Sequence, residues 1–281
     1  MLNREQREYL LPEAVNAAVR AGAAILAVYE KVEDYDIQIK NDKSPLTLAD
    51  RQAHSVIRGY LAKTRVPLLS EEGREMLYDE RRGWDLFWMV DPLDGTKEFI
   101  KGNGEFTVNI ALMADNKPVL GVIYVPYLGK LYFADEERGS FLKENLKADA
   151  EYETSPDDLF DRAQRLPLTS RANDPIRIAI SRSHNTEETY RYIDIIKKRF
   201  PSAQTVEQGS SYKFGLLAEG EADCYIRTSN TYEWDTAAGE AILSAAGGKV
   251  IALPGNEPME YNKMTLLNPH FVCFGKHMPG L

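Results

Sequence analysis

From residue 4 to residue 30 apolar side chains recur at helical spacing: Leu10, Ala14, Ala17, Ala21, Ile25 and Val28 share one face. The pattern predicts an amphipathic helix that covers a core. A second helix is predicted over 47–64, with Thr47 as its N-cap. WDLFWMV at 84–90 is aromatic and apolar throughout and predicts a buried strand. After it come short β-branched or aromatic runs, FTVNIALM, PVLGVIYV, KLYFA and GSFLKE, separated by turn residues such as ADNKP and the Tyr127–Lys130 stretch. They predict an antiparallel meander.

Beyond this the pattern changes. Residues 144–170 are polar and poorly periodic, and predict an irregular connection. Then strand and helix alternate: RIAIS, TEETYRYIDIIKKRF, SSYKFGLLAEG opened by Ser210, ADCYIR, TAAGEAILSAAG with a glycine stop, and the strands KVIA and FVCFG. Such alternation predicts an α/β layer. The expected organisation is an N-terminal α+β half over 1–145, a connection over 146–170 and a C-terminal α/β half over 171–281.

Composition narrows the function classes. The 281 residues, 43% apolar, suffice for a sizeable core. Net charge is −9, and no Lys/Arg cluster exceeds two or three residues, so a nucleic-acid groove is not expected. An acidic protein can still take an anionic small molecule if metal ions lie between. The two cysteines, Cys224 and Cys273, show neither metal-type spacing nor a disulfide framework, which fits a reducing cytoplasm. The N-terminus lacks the signal-peptide pattern, and Arg20 interrupts its longest apolar stretch, so no membrane span is expected. Peripheral membrane contact needs no span and stays open.

The candidate chemistry centres on Asp91-Pro92-Leu93-Asp94-Gly95-Thr96. Proline lacks an N–H and fixes φ, so Pro92 is expected to end the strand and open a turn. Gly95 permits a close turn, and Thr96 is expected to start a short helix. Two carboxylates forced together repel unless a cation joins them, and hard oxygen ligands suit Mg²⁺. Taken alone, both aspartates are also ordinary turn and cap residues. Other acids add weight: Asp50 in the first turn of the second helix, Glu71 and Glu72 after the apolar run Val66-Pro67-Leu68-Leu69, and Asp235 in EWDTAAGEA. Each falls at an element's end, where open α/β sheets build sites. Each alone is equally a first-turn charge, a solvated turn or an N-cap.

Together, Asp50, Glu71-Glu72, DPLDGT at 91–96 and WDTAAG at 234–239 resemble the inositol monophosphatase superfamily of Mg²⁺-dependent, lithium-sensitive phosphatases, over almost the whole chain. The run DPLDGTKEFIKGNGEFTVNIAL, SRSH at 181–184 and GSSYKF at 209–214 are similar to its bisphosphate-nucleotidase branch. The resemblance implies a layered α-β-α-β-α sandwich with the site between its halves. It implies Glu71, Asp91, the Leu93 carbonyl, Asp94 and Asp235 as ligands of two or three Mg²⁺ ions, Asp91 bridging, and inhibition by Li⁺. Asp50 and Thr96 would orient and deprotonate the attacking water, and the Gly95 and Thr96 N–H groups would hold the scissile phosphate. His184, Ser210, Lys213 and Arg227 would contact the nucleotide and its second phosphate.

The activity so implied is a cytoplasmic phosphatase, monomer or homodimer, that removes the 3′-phosphate of adenosine 3′,5′-bisphosphate, with 3′-phosphoadenylyl sulfate as a second substrate. Two alternatives stay open. An inositol monophosphatase or broad sugar-phosphate phosphatase would leave Ser210, Lys213 and Arg227 without a clear task. A non-catalytic metal- or nucleotide-binding protein would not need Asp50 and Thr96. By their residue types, Lys213 is equally a solvated charge, Arg227 the partner of a surface acid, and His184 a capping histidine.

Overall fold

The computed structural model describes residues 2–30, 38–39, 45–46 and 48–279. The predicted first helix is α1, Arg4–Tyr29, and starts in a capping box: Asn3 accepts from the Gln6 N–H while Gln6 accepts from that of Asn3. The second is α2, Leu48–Leu61, followed by a 3₁₀ turn over Ala62–Thr64. Its predicted cap, Thr47, lies outside the described residues.

A small antiparallel pair joins β1 (Gln38–Ile39) to β2 (Pro45–Leu46). The main sheet has seven strands in chain order: β3 (Leu68–Ser70), β4 (Leu86–Asp94), β5 (Thr107–Ala114), β6 (Lys117–Val125), β7 (Lys130–Asp135), β8 (Gly139–Lys143) and β9 (Gln164–Arg165). β3 runs parallel to β4, and all later neighbours are antiparallel, which is the predicted meander. Period two sorts β4 between its faces. Trp88 and Val90 face α1 and α2, whereas Phe87 and Met89 face the other side. Both faces are buried, so the sequence there reads as continuous hydrophobicity rather than alternation.

A second sheet holds β10 (Arg177–Ser181), β11 (Gln204–Gln208), β12 (Cys224–Arg227), β13 (Lys249–Ala252), β14 (Glu257–Pro258) and β15 (Phe271–Phe274), ordered β11-β10-β12-β15-β13-β14. Between the sheets lie α7 (Tyr212–Glu219) and α8 (Glu233–Ala245); α6 (Glu187–Arg199) covers the outer face. The result is the expected α-β-α-β-α stack. Short helices α3 (Tyr78–Arg81), α4 (Thr96–Ile100) and α5 (Pro156–Leu159) complete it. By length and composition α1 could cross a membrane, but it is mostly buried and its apolar face is the first core. Its Arg20 donates to the Tyr152 carbonyl at 2.6 Å and to Glu153 at 2.8 Å.

Three local expectations are corrected. β4 does not end at Pro92 but runs to Asp94 through a bulge, because Asp91 pairs with Asn109 and Asp94 with Thr107. Ser210 does not open α7; it sits before it at φ +49° in the left-handed region, and Ser211 is the N-cap. α8 begins at Glu233, three residues before the predicted start, so Asp235 lies inside its first turn. Segment 144–170 is also more ordered than its pattern suggested, since it carries α5 and β9.

Candidate active site

The bulge in β4 makes the acidic pair possible. In a regular strand residues three apart point to opposite faces. From Asp91 to Asp94 is three steps, while the partners Asn109 and Thr107 are two apart, so one extra residue is inserted. That insertion returns both aspartates to one side, and Pro92, with no N–H to donate, fits the interrupted ladder. Gly95 follows at φ +93°, a conformation costly for other residues; a Cβ there would lie 3.1 Å from the Glu105 carbonyl.

Glu71, Asp91, Leu93, Asp94, Gly95, Thr96, His184, Ser210, Lys213, Arg227 and Asp235 all line one cavity of about 330 Å³. Asp50 is not among its walls. It is buried in the first turn of α2, and its charge acts on Asp91. A groove of about 710 Å³ beside α6 is larger but mostly apolar. A cavity of about 310 Å³ at the start of α1 is charged, but its Arg7 is paired with Asp135 and Glu136. Chemistry, not size, singles out the acidic cavity.

One of its walls is acidic. Burial first, then the charges of Glu71, Asp94, Asp235 and Asp50, push the Asp91 carboxyl well above the usual carboxylate range. Asp235 is raised too, by burial and then by Asp94 and Glu71, against a bond from the Tyr232 N–H and the charge of Arg227. Among the described residues no three His, Cys, Asp or Glu side chains stand ready in coordinating geometry. The carboxylates face their own surroundings instead. Asp91 Oδ1 accepts the Leu93 N–H at 3.0 Å, Asp235 Oδ2 the Tyr232 N–H at 2.8 Å, and Asp94 Oδ2 the N–H and hydroxyl of Ser211. No protein donor among the described residues reaches the other oxygen of these three. Hard oxygens, buried at Asp91 and half-buried at Asp94 and Asp235, mutually repelling and each with one oxygen left over, fit a divalent cation of the Mg²⁺ type.

The same cavity is also lined by basic groups. Lys213 is buried, and burial first, then Arg227, pushes its ammonium pKa down to about 7. Ser210 and Lys213 do not point together from one helix face. Lys213 Nζ turns back to donate to the Gln208 and Ser210 carbonyls at 3.0 and 2.6 Å, bracing the left-handed turn. Arg227 donates to the Asn230 carbonyl at 3.3 Å, and its buried Nε has no partner. Thr96 Oγ1 donates to the Leu93 carbonyl at 3.3 Å.

Two further residues of the site lie inside runs that carried the resemblance, Ser211 in GSSYKF and Lys97 in DPLDGTKEF, but were given no role. Ser211, beside Ser210, bonds Asp94 and also donates to the Asp235 carbonyl at 2.7 Å. Lys97, directly after Thr96, reaches His184 at 3.0 Å. In both cases the signal that could have found them is a polar residue adjacent to a candidate.

The inositol monophosphatase family model matches residues 6–277. The 3′(2′),5′-bisphosphate nucleotidase CysQ of Escherichia coli K12 is 41% identical over 265 residues, 93% of this chain and 98% of that protein. A crystal structure of CysQ from Bacteroides thetaiotaomicron, a bacterial member of the family, superposes with a TM-score of 0.86 at 46% identity, covering 96% of this chain and 98% of that one. The extragenic suppressor protein SuhB from Bartonella henselae gives 0.71 at 25%, covering 94% and 93%. Enzymes of this family are generally Mg²⁺-dependent.

Proposed function

Because the chain belongs to the inositol monophosphatase family, we propose that it is a Mg²⁺-dependent 3′(2′),5′-bisphosphate nucleotidase that converts adenosine 3′,5′-bisphosphate to AMP and phosphate. The carrying observation is the cavity's division. Its acidic wall suits cations that neutralise one phosphate. Its basic groups, with Arg227 free of carboxylate partners at ion-pair distance among the described residues, suit a second phosphate. A substrate with one phosphate would use only half of it. By the same logic 3′-phosphoadenylyl sulfate is a second substrate.

Glu71, Asp91, Asp94, Asp235 and the Leu93 carbonyl would hold two or three ions. When bound, Mg²⁺ supplies charge neutralisation at the phosphate and a water of lowered pKa. The chain's own groups do the rest. Thr96 Oγ1 would orient the attacking water and take its proton as the threonine's own hydroxyl proton passes to the buried Asp50. Gly95 and Thr96 N–H groups position the scissile phosphate. Ser210, His184, Lys213 and Arg227 set the nucleotide's register, Lys213 by bracing the Ser210 turn.

The test is phosphate release from adenosine 3′,5′-bisphosphate and inositol 1-phosphate side by side, with Mg²⁺ and with Mg²⁺ plus Li⁺. Strong, lithium-sensitive preference for the bisphosphate is expected. Preference for inositol 1-phosphate would sink the assignment of the basic groups and keep the acidic one. Turnover of neither would leave a binding protein.

A further inference from the structure

Lys97 has no task in the reading above. Its side chain is exposed at the cavity's edge, yet its Nζ lies 3.0 Å from Nε2 of His184 on the loop after β10. An ammonium carries hydrogens and no lone pair, so it can only donate. Nε2 must then be the unprotonated nitrogen, and His184 is a neutral imidazole with its hydrogen on Nδ1. The surroundings press the same way. Burial first, then Arg227, Lys97 and Lys213, lower the ring's pKa to about 4, and Glu98 opposes them. Ser229 Oγ fixes the same residue by donating to its carbonyl at 2.8 Å.

Three basic side chains therefore act on one uncharged ring, and Arg227 and Lys97 are the two that keep a full charge at neutral pH. Among the described residues none of them has a carboxylate at ion-pair distance: Lys213 meets carbonyls, Arg227 meets one carbonyl, and Lys97 meets only His184. The chain has 43 acidic residues against 34 basic ones, so partners are not scarce. The cavity's carboxylates act on Arg227 and Lys213 only at longer range, so an anion seated between Arg227 and Lys97 would find donors that no carboxylate occupies.

We propose that Lys97 is a specificity-determining residue for the phosphate that is not cleaved: it forms a cationic clamp with Arg227 and holds His184 as the Nδ1–H tautomer that donates to the nucleotide. This rests on the bisphosphate reading of the site. Lys97 leaves hydrolysis itself to its neighbours and acts on which phosphate ester enters.

The experiment compares wild type, Lys97→Met and Lys97→Arg on adenosine 3′,5′-bisphosphate and on adenosine 3′-monophosphate, which carries the same scissile group and lacks the other phosphate. Nitrogen NMR of the His184 ring is recorded alongside. Lys97→Met is expected to raise KM for the bisphosphate roughly tenfold, the scale of one charge-assisted bond. It should leave kcat, and both constants for the monophosphate, within about twofold. Lys97→Arg should recover most of the loss. His184 should read as Nδ1–H in wild type and shift toward Nε2–H in Lys97→Met. Equal loss on both substrates, no loss on either, or an Nε2–H ring in wild type overturns the inference. A wild type that does not prefer the bisphosphate overturns the functional reading and this inference together. A preference that Lys97→Met leaves intact overturns this inference alone.

Discussion

If the acidic wall exists to hold cations, neutralising Asp91 should stabilise the metal-free protein and abolish its response to Mg²⁺. Asp91→Asn keeps the shape, and the amide oxygen can still accept the Leu93 N–H. It removes the most encircled of the acids, on which Glu71, Asp94, Asp235 and Asp50 all act. A raised carboxyl pKa in the folded state means that stability is complete below the unfolded value and lost as pH rises through the folded one. At neutral pH the wild type therefore carries the penalty. Replacing buried charges by neutral groups of similar volume can stabilise a protein by a few kcal/mol, and for one carboxylate of the cluster relief of about 1–2 kcal/mol is expected without metal. At roughly 2–4 °C per kcal/mol for a chain of this order, the variant should melt a few degrees higher than wild type. With Mg²⁺ at about a hundred times its Kd, wild type gains about 2.7 kcal/mol and overtakes it, while the variant gains little. Thermal melting with EDTA and with Mg²⁺ reads all four values, and exposed Asp85→Asn serves as control. A variant that melts lower than wild type in EDTA, or that keeps the wild-type Mg²⁺ shift, would refute the account.

Gly95→Ala should cost about 1–2 kcal/mol from its left-handed φ alone and displace Thr96, so kcat/KM should fall far more than the melting temperature. Arg81 is buried and donates to Asn262 Oδ1 and the Lys263 carbonyl, both at 2.7 Å, tying α3 to the segment before β15. Arg81→Ala should lower stability by about 3 kcal/mol in urea titration, and Arg81→Lys should recover little of it, because the paired acceptors match a planar fork. Lys213, with a folded pKa of about 7 below its unfolded value, should make stability rise with pH from about 7 upward. The metal-free wild type should gain up to about 1.4 kcal/mol per pH unit over that window relative to Lys213→Met, as read by melts from neutral to alkaline pH.

The meander was legible because its strands are apolar runs closed by turn residues, and α1 because its period is unmistakable. Other elements lacked such signals. β11 is the polar edge strand QTVEQ, largely exposed, with no buried face to write a pattern into its sequence. β3 has three residues and β9 two, too short for periodicity, and they exist because a neighbouring strand offers its edge. Pro92 misled for a physical reason. Proline forbids a ladder hydrogen bond, and a bulge is the other way to meet that demand without ending the strand. The stacking order of the five layers came from resemblance. No residue spacing states that α8 lies between two sheets.

The site shows the same division. Which residues carry charge was legible, but what holds like charges together was not. Asp94 belongs to the first sheet and Asp235 to α8, and without a cation they repel. Their separation is set by neutral groups. Ser211 bonds Asp94 through its N–H and hydroxyl and meets the Asp235 carbonyl as well, while Asn109 donates to Ser211 Oγ at 3.0 Å. α8 can come close enough because Gly121 in β6 leaves room. A Cβ there would stand 2.6 Å from the Ala238 carbonyl and 2.7 Å from Ala241. The start of the helix is fixed by Glu233, which is fully buried, binds Lys263 at 2.6 Å and accepts the Asn262 N–H. These contacts form before any metal or substrate arrives. The protein thus folds around an unfavourable cluster of acids, and the binding free energy of the cation can go into relieving that repulsion rather than into assembling the site.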